Sequence, residues 1–184
     1  MNALSLYSGI GGFDLAAHAA GCDLVAFCES NAYCRTVLNH YWPTVPIYEN
    51  DEDVTFERLQ SDGLDPASID LIIGGPPCQA SSAAGKRGGD NDARWRWPEY
   101  IRIVGEVRPR WFVAETPRGI TSLRHSSGER AFGGILAALS EMGYCVSWGT
   151  WGAGDVGAPH KRERIFLIGQ RLEYATRCEC LYVH

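Results

Sequence analysis

The chain has 184 residues, of which 45% are hydrophobic and 21% are charged, values that are typical of a globular domain. They exclude a disordered or fibrous chain, and the sequence holds no run of the roughly 20 apolar residues that a membrane helix requires. The net charge is −5, but residues 1–70 hold 2 basic and 11 acidic side chains, whereas residues 71–184 hold 15 and 11. The overall charge argues against loose electrostatic binding of nucleic acid and leaves open a basic face on the second half. The N-terminal residues lack a basic leader, so we expect a cytoplasmic protein rather than a secreted one.

Short apolar runs alternate with helix-length segments along the chain. Strands are predicted at residues 3–7, 24–28, 69–73, 111–114, 144–151 and 164–169, and helices at 13–20, 31–41, 98–107 and 129–142. This alternation predicts a single α/β domain with a mainly parallel sheet and helices on both faces. Ligands of such sheets bind at the carboxyl ends of the strands, so the loops at 8–12, 29–31, 74–96, 115–120 and 152–162 are the places to search for a site.

The seven cysteines have irregular spacings and include no CxxC pair. Cys178 and Cys180 lack the second half of a zinc site, so no metal centre is expected. A disulfide scaffold is not expected in a chain without an export signal, and most of the cysteines are predicted to be reduced, buried apolar residues. Cys78 is the exception because of its sequence context.

A glycine turn, Ser8-Gly9-Ile10-Gly11-Gly12-Phe13, follows the first predicted strand. Glycines at this position let the backbone approach a ligand, and the helix that follows offers free N–H groups. Glu29 ends the second strand, where an acid can accept hydrogen bonds from ribose hydroxyls. The turn lacks the complete GxGxxG pattern and a following GK[ST], so it favours a nucleoside-containing cofactor over a phosphate cradle. Plain chain reversal is the alternative interpretation.

A second loop, Gly74-Gly75-Pro76-Pro77-Cys78-Gln79, directly follows a buried strand. Its prolines stiffen the backbone and present Cys78 at the carboxyl edge of the sheet, where a nucleophile would be placed. The next residues are small or basic and suit contact with a phosphate backbone: Ser81, Ser82, Gly85, Lys86, Arg87, Gly88 and Gly89. A Cys/His hydrolase is the competing interpretation, and no local hydrolase signature supports it. Its candidate bases would be His18, His40, His125 and His160.

Charged residues also mark the boundaries of two further strands. Glu115 follows the apolar run 111–114. Desolvation would raise the pKa of a carboxyl there, so that it could hold or donate a proton. Arg162 and Arg164 lead into the last strand, and their alternation places them on one face. A basic strand edge that discourages aggregation is the alternative.

Taken in order, these segments resemble the cytosine carbon-5 DNA methyltransferases. The resemblance covers about residues 3–170 and rests on the glycine loop at 6–13, Glu29, Pro77-Cys78-Gln79, Glu115 and the basic run Lys161-Arg162-Glu163-Arg164. It implies a Rossmann-like fold, S-adenosylmethionine as methyl donor, and a flipped-out cytosine in DNA as substrate.

The resemblance also implies a role for each matching residue. Cys78 would attack carbon 6 of the cytosine, and Glu115 would protonate or hydrogen-bond the ring nitrogen N3. Arg164 would contact the cytosine carbonyl, and Arg162 would help to hold the anionic groups. The cofactor would be held by Tyr7, Ser8, Gly9, Gly11, Gly12, Phe13, Glu29 and Pro77, together with Asp51 or Asp53, between which the register is open. The DNA would be contacted by Gln79, Ser82, Lys86 and Arg87.

Three departures from the family pattern bear on function. Thr116-Pro117 stands where the family has Asn-Val after the glutamate, and His160 replaces a glutamine. The matching part predicts a catalytic domain at 1–170 and a short tail at 171–184, without the family's target-recognition region and returning segment. We therefore expect a truncated or split enzyme whose target recognition is supplied by a second chain. The alternatives are a non-catalytic module that binds S-adenosylmethionine or DNA, and an RNA cytosine methyltransferase.

Overall fold

Strands and helices alternate along the computed structural model, which describes residues 1–78, 95–125 and 127–174. The strands are β1 (Asn2–Leu6), β2 (Asp23–Cys28), β3 (Ile47–Tyr48), β4 (Ile69–Gly74), β5 (Trp111–Pro117), β6 (Tyr144–Trp151) and β7 (Arg164–Arg171). The α-helices are α1 (Gly12–Ala19), α2 (Ala32–Tyr41), α3 (Phe56–Ser61), α4 (Trp97–Val107) and α5 (Ala131–Glu141). Short 3₁₀ turns cover Asp51–Asp53, Pro66–Ser68, Arg118–Ser122, Ala153–Val156 and Leu172–Tyr174.

The chain forms two compact units, of which the first contains residues 1–75 and 102–113. Its neighbouring strands follow the order β3-β2-β1-β4 and then the first residues of β5. β1 pairs in parallel with β2 and β4, and Leu6 lies opposite both Cys28 and Gly74. The carboxyl ends of these three strands are therefore level, which brings the loops that follow them to one edge of the sheet.

The first unit is held together by apolar side chains that the strands and helices share. Leu4, Leu6, Ala26, Leu38 and Ile72 are completely buried, which is the pattern of a parallel sheet with both faces covered. Close backbone approach also restricts the sequence at the end of β4, because a Cβ atom on Gly74 would lie 2.4 Å from the Leu6 carbonyl oxygen. Only glycine fits there.

Side-chain caps begin two of the helices in this unit. Asn31 Oδ1 accepts hydrogen bonds from the backbone N–H groups of Tyr33 and Cys34 at the start of α2. Thr55 Oγ1 accepts one from the N–H of Arg58 at the start of α3. Each cap satisfies backbone donors that lack a partner inside the helix.

The second unit contains the described residues of 76–101 and 114–174. The second half of β5 is followed in the sheet by β7 and then β6. β6 and β7 are antiparallel along their whole length, from the pair Tyr144 and Arg171 to the pair Trp151 and Arg164. The Phe132 ring of α5 meets the Trp148 ring of β6 edge-on, with centroids 5.1 Å apart, which is a favourable aromatic geometry.

The predicted α/β class with a mainly parallel sheet is confirmed, and β6 and β7 of the second unit form an antiparallel pair. β5 runs to Pro117, so Glu115 lies inside this strand and not after it. The sequence analysis missed β3 and α3, since two and six residues are too few to show a periodic pattern.

Cys22, Cys28, Cys34 and Cys78 are not disulfide-bonded, whereas Cys145 takes part in a disulfide. No helix in the described part of the chain is long and apolar enough to cross a membrane.

Candidate active site

The glycine turn joins β1 to α1 through a network of backbone hydrogen bonds. The N–H of Ser8 donates to the Cys28 carbonyl at 3.2 Å, and the N–H of Gly11 donates to the Ser8 carbonyl at 3.0 Å. Gly11 has φ +94°, and a Cβ atom there would lie 2.9 Å from the Trp42 ring. Conformation and space therefore both require glycine at this position, and chain reversal accounts for part of the motif.

Glu29 links the glycine turn to the start of α2. Its carboxylate accepts a hydrogen bond from the Gly9 N–H at 2.7 Å and another from the Asn31 N–H at 2.7 Å. The side chain is half-buried at the carboxyl end of β2. Each carboxylate oxygen can accept more than one hydrogen bond, so Glu29 can organise the turn and still receive donors from a ligand.

Asp51 and Asp53, between which the sequence left the choice open, have different surroundings. Asp51 is buried, with 7% of its surface exposed, and its Oδ2 accepts a 2.6 Å hydrogen bond from the Tyr7 hydroxyl. Asp53 is exposed, and its Oδ2 accepts a hydrogen bond from Asn50 at 3.1 Å. Tyr7 belongs to the residues that lead into the glycine turn, so the structure brings Asp51 to the predicted cofactor residues.

Arg102 is a residue of this region that the sequence analysis missed. Its guanidinium donates to the backbone carbonyls of Asp51 at 2.9 Å and Val54 at 3.2 Å. It lies within α4, far along the chain from the turn it holds. An arginine in the middle of a helix carries no sequence signal for such a contact.

Asp14 is a buried acid in the first turn of α1. Its side chain is completely buried, and neither carboxylate oxygen makes a hydrogen bond of good geometry with the described residues. Burial raises the pKa of Asp14 from 3.8 to about 6, and the nearby Ser5 hydroxyl and the backbone N–H of Asp14 offset only part of this effect. The neutral acid is therefore the form that suits the site.

We expect the stability of the protein to depend on pH through Asp14. Because the pKa of Asp14 is higher in the folded chain, its stabilising contribution is complete below about pH 4 and is lost as the pH rises through about 6. One pKa unit corresponds to about 1.4 kcal/mol, so wild type should lose about 2.5 kcal/mol more than Asp14→Asn between pH 4 and 7.5.

Urea unfolding at several pH values measures this difference. Asp23→Asn, at an exposed position that begins β2, controls for the loss of one carboxylate and should change stability by less than about 0.5 kcal/mol. Equal pH dependence in wild type and Asp14→Asn would contradict the assignment.

Phe13 lies on α1, next to the glycine turn, and is half-buried. It lines an apolar cavity of about 340 Å³ together with Ala16, Leu71, Ile73 and Val113. Phe13 also packs against the core of the first unit. Its predicted contact with the cofactor stays a prediction.

In the second unit, Glu115 and Arg164 meet across the neighbouring strands β5 and β7. Arg164 Nε lies 2.7 Å from Glu115 Oε1, and each side chain is about one-fifth exposed. Burial raises the pKa of Glu115, although the charges of Arg164 and Arg162 and the hydrogen bond from Arg164 act in the opposite direction. The site thus combines a carboxyl that retains its proton more readily than usual with a cation beside it.

Two neighbours of this pair differ in exposure. Arg162 is exposed, has φ +35°, and acts on Glu115 through its charge. Thr116, which stands where the resemblance led us to expect asparagine, is completely buried, and its hydroxyl oxygen has no hydrogen-bond partner among the described residues. The structure therefore brings together Glu115, Arg164 and the charge of Arg162.

Cys78 is buried, with 3% of its surface exposed, and carries no disulfide. The carbonyl of the preceding Pro77 accepts a 3.5 Å hydrogen bond from the Arg96 N–H, which joins the cysteine loop to the residue before α4. The proposed DNA-contacting residues Gln79, Ser82, Lys86 and Arg87 lie outside the described residues.

Comparison with known proteins bears on the family of this chain. A family model described as C-5 cytosine-specific DNA methylase matches residues 1–180. The Type II methyltransferase M.AquIA of Picosynechococcus sp. is 38% identical over 180 residues, which are 92% of this chain and 71% of that protein. The Type II methyltransferase M.FnuDI of Fusobacterium nucleatum is 36% identical over 176 residues, which are 93% of this chain and 47% of that protein.

Solved structures match the fold over almost the whole chain. A DNA modification methyltransferase encoded within a prophage of E. coli superposes with a TM-score of 0.76 at 27% identity and covers 94% of this chain and 47% of that one. DNMT2 of Spodoptera frugiperda superposes with a TM-score of 0.72 at 23% identity over 95% of this chain and 51% of that one, which bears on the fold alone. The chain thus spans about half the length of most of these matches.

Proposed function

Since this chain belongs to the family of C-5 cytosine-specific DNA methylases, we propose that it is the catalytic part of an enzyme that transfers a methyl group to carbon 5 of cytosine in DNA. The observation that carries the proposal is the contact of Glu115 with Arg164 at 2.7 Å, in which burial raises the pKa of the carboxyl. Methylation at carbon 5 needs a proton donor at the cytosine ring, and this carboxyl has the required property.

The first unit suits a methyl donor that contains a nucleoside, and we propose S-adenosylmethionine. The carboxylates of Glu29 and Asp51 can accept hydrogen bonds from hydroxyl and amino groups. A Cβ atom on Gly9 or Gly12 would meet no atom within 4 Å, so the turn has open space beside its backbone. When bound, S-adenosylmethionine would supply an electrophilic methyl group.

We propose that the cofactor is held by Glu29, Asp51 and the glycine turn. The remaining contacts implied by the resemblance, from Tyr7, Phe13 and Pro77, are part of the same proposal. Asp53 is a weaker candidate than Asp51, because it is exposed and hydrogen-bonded to Asn50.

Covalent attack by Cys78 prepares the cytosine for methylation in this proposal. Carbon 5 is a poor nucleophile until the ring loses its aromaticity. The Cys78 thiolate forms a bond to carbon 6, while the proton of Glu115 passes to N3 and balances the electron pair that enters the ring. Arg164 donates hydrogen bonds toward the cytosine carbonyl, and the charge of Arg162 stabilises the anionic groups.

The same side chains restore the ring after carbon 5 has received the methyl group. A solvent water molecule accepts the hydrogen on carbon 5 as a proton, the electron pair of that bond forms the double bond between carbons 5 and 6, and the sulfur of Cys78 leaves carbon 6 as the thiolate. The N3 proton returns to Glu115. The thiolate and the carboxylic acid are regenerated, so each turnover consumes one methyl group.

We further propose that a second polypeptide supplies target recognition and that the basic residues of the cysteine loop contact the DNA backbone. Lys86 and Arg87 are the candidates in the sequence, and such contacts would weaken steeply with salt.

Transfer of labelled methyl groups from S-adenosylmethionine tests the function. Cytosine-containing DNA and tRNA are compared as substrates, with and without candidate second chains such as the product of a neighbouring reading frame. We expect label at carbon 5 of cytosine in DNA and none in tRNA. Label in tRNA alone would replace the DNA substrate by RNA, and cofactor binding without transfer to either would favour a non-catalytic module.

A further inference from the structure

We propose that Tyr7 and Arg102 are positioning residues that together fix Asp51 for the methyl donor. The proposal deepens the proposed function, since it rests on Asp51 as a cofactor ligand. It assigns one residue to the side chain of Asp51 and the other to its backbone. All the contacts involved lie within the first unit.

Tyr7 fixes the carboxylate from a backbone conformation that a non-glycine residue seldom adopts. Its φ is +54°, in the left-handed region, and such a conformation persists only where the surrounding structure stabilises it. The phenolic hydroxyl donates to Asp51 Oδ2 at 2.6 Å, the short distance expected for a hydrogen bond to a carboxylate. The strained residue that follows β1 therefore directs its hydroxyl to the turn after β3.

Arg102 fixes the backbone of the same turn. One guanidinium nitrogen donates to the Asp51 carbonyl at 2.9 Å, and both terminal nitrogens lie 3.2 Å from the Val54 carbonyl. Glu106 holds Arg102 at 2.8 Å and also accepts the backbone N–H of Phe56 at 3.2 Å. Two side chains one turn apart on α4 therefore connect the 3₁₀ turn that contains Asp51 to the beginning of α3.

Together these contacts restrain Asp51 at both its side chain and its backbone. Because Asp51 is already held in place, little conformational entropy is lost at this residue when a ligand binds to it. This is the usual advantage of a preorganised site. Because the Tyr7 hydroxyl and the Arg102 guanidinium act through Asp51, their removal should raise the dissociation constant for S-adenosylmethionine without removing the acid itself, while Tyr7→Phe keeps the ring and any contact that it makes with the cofactor.

Calorimetric titration of the full chain with S-adenosylmethionine tests the proposal. We expect Tyr7→Phe to weaken binding about tenfold, since it deletes one hydrogen bond to a charged group. Arg102→Gln should weaken it by a similar factor, and Arg102→Lys should fail to restore affinity because an ammonium group cannot span two carbonyls. In an Asp51→Asn background, Tyr7→Phe should add no further loss.

Two matched variants control for the loss of a similar interaction elsewhere. Tyr48→Phe removes a hydroxyl that donates to Asp62 at 3.0 Å, and Arg58→Gln removes an Arg–Asp pair at 2.9 Å. Both should bind the cofactor as wild type does. Amide hydrogen exchange of the cofactor-free chain adds a readout of the turn, where Val54 should exchange about tenfold faster in Arg102→Gln.

The outcomes separate this proposal from the proposed function. Wild type that fails to bind S-adenosylmethionine overturns both. Wild type that binds, with Tyr7→Phe and Arg102→Gln indistinguishable from their controls in affinity and exchange, overturns the positioning role alone. Losses of affinity that persist in full in the Asp51→Asn background also overturn it, because the effect would then not pass through Asp51.

Discussion

Replacement of Cys78 by serine should abolish covalent trapping of the protein on DNA that carries 5-fluorocytosine in the presence of S-adenosylmethionine. Fluorine at carbon 5 cannot leave as a proton, so the sulfur of Cys78 stays bound to carbon 6 and the adduct survives denaturation. Serine is not ionised at neutral pH and is a much weaker nucleophile. We expect the rate of trapping to fall by roughly 10⁴-fold or more, measured as a band of reduced mobility in a denaturing gel.

Cys22→Ser is the matched control for the trapping experiment. Cys22 is as buried as Cys78, with 2% of its surface exposed, and is likewise not disulfide-bonded. Its replacement should leave the adduct intact, and mass spectrometry should locate the cytosine on Cys78. An adduct on another cysteine would overturn the assignment of the nucleophile. The reaction is run with and without candidate second chains.

Glu115→Gln should slow the same trapping reaction by about 10²- to 10⁴-fold, the range expected for loss of a general acid. Glutamine keeps the shape of the side chain and removes the proton that Glu115 would give to N3. The ion pair with Arg164 would become a hydrogen bond from the charged guanidinium to a neutral amide, so stability should be measured alongside the rate. An unchanged rate in a folded variant would exclude Glu115 as the proton donor.

The pH dependence of trapping gives a second test of Glu115. Burial raises the pKa of this carboxyl, so the protonated form persists to higher pH than in an ordinary glutamate. The rate of trapping, which depends on protonated Glu115, should be highest below this raised pKa and should fall as the pH rises through it. Arg164→Gln should move the fall to higher pH, because it removes a charge that lowers the pKa of Glu115. Arg118→Gln, at an exposed pair with Glu163, should not move it.

Local sequence predicted the strands and helices that set out the site. Short apolar runs followed by glycine predicted β1 and β4 to within one residue, because burial on both faces leaves a continuous hydrophobic signal. The order of the motifs led to the family, which the match over residues 1–180 confirms. Glu115 was predicted to have a raised pKa from its apolar surroundings alone, and burial in the strand has that effect.

Tertiary structure alone distinguished residues that look alike in the sequence. Asp51 and Asp53 are two positions apart and chemically identical, and only the folded chain brings the Tyr7 hydroxyl to one of them. Arg102 and Glu106 read as an ordinary helical ion pair, yet they hold a turn about 50 residues earlier in the chain. Asp14 reads as a favourable acid in the first turn of a helix, but packing buries it without a hydrogen-bond partner within the described residues. Such contacts depend on which segments, distant in the sequence, pack together in the folded chain. The pattern of apolar residues indicates only which side of each segment is buried in the core.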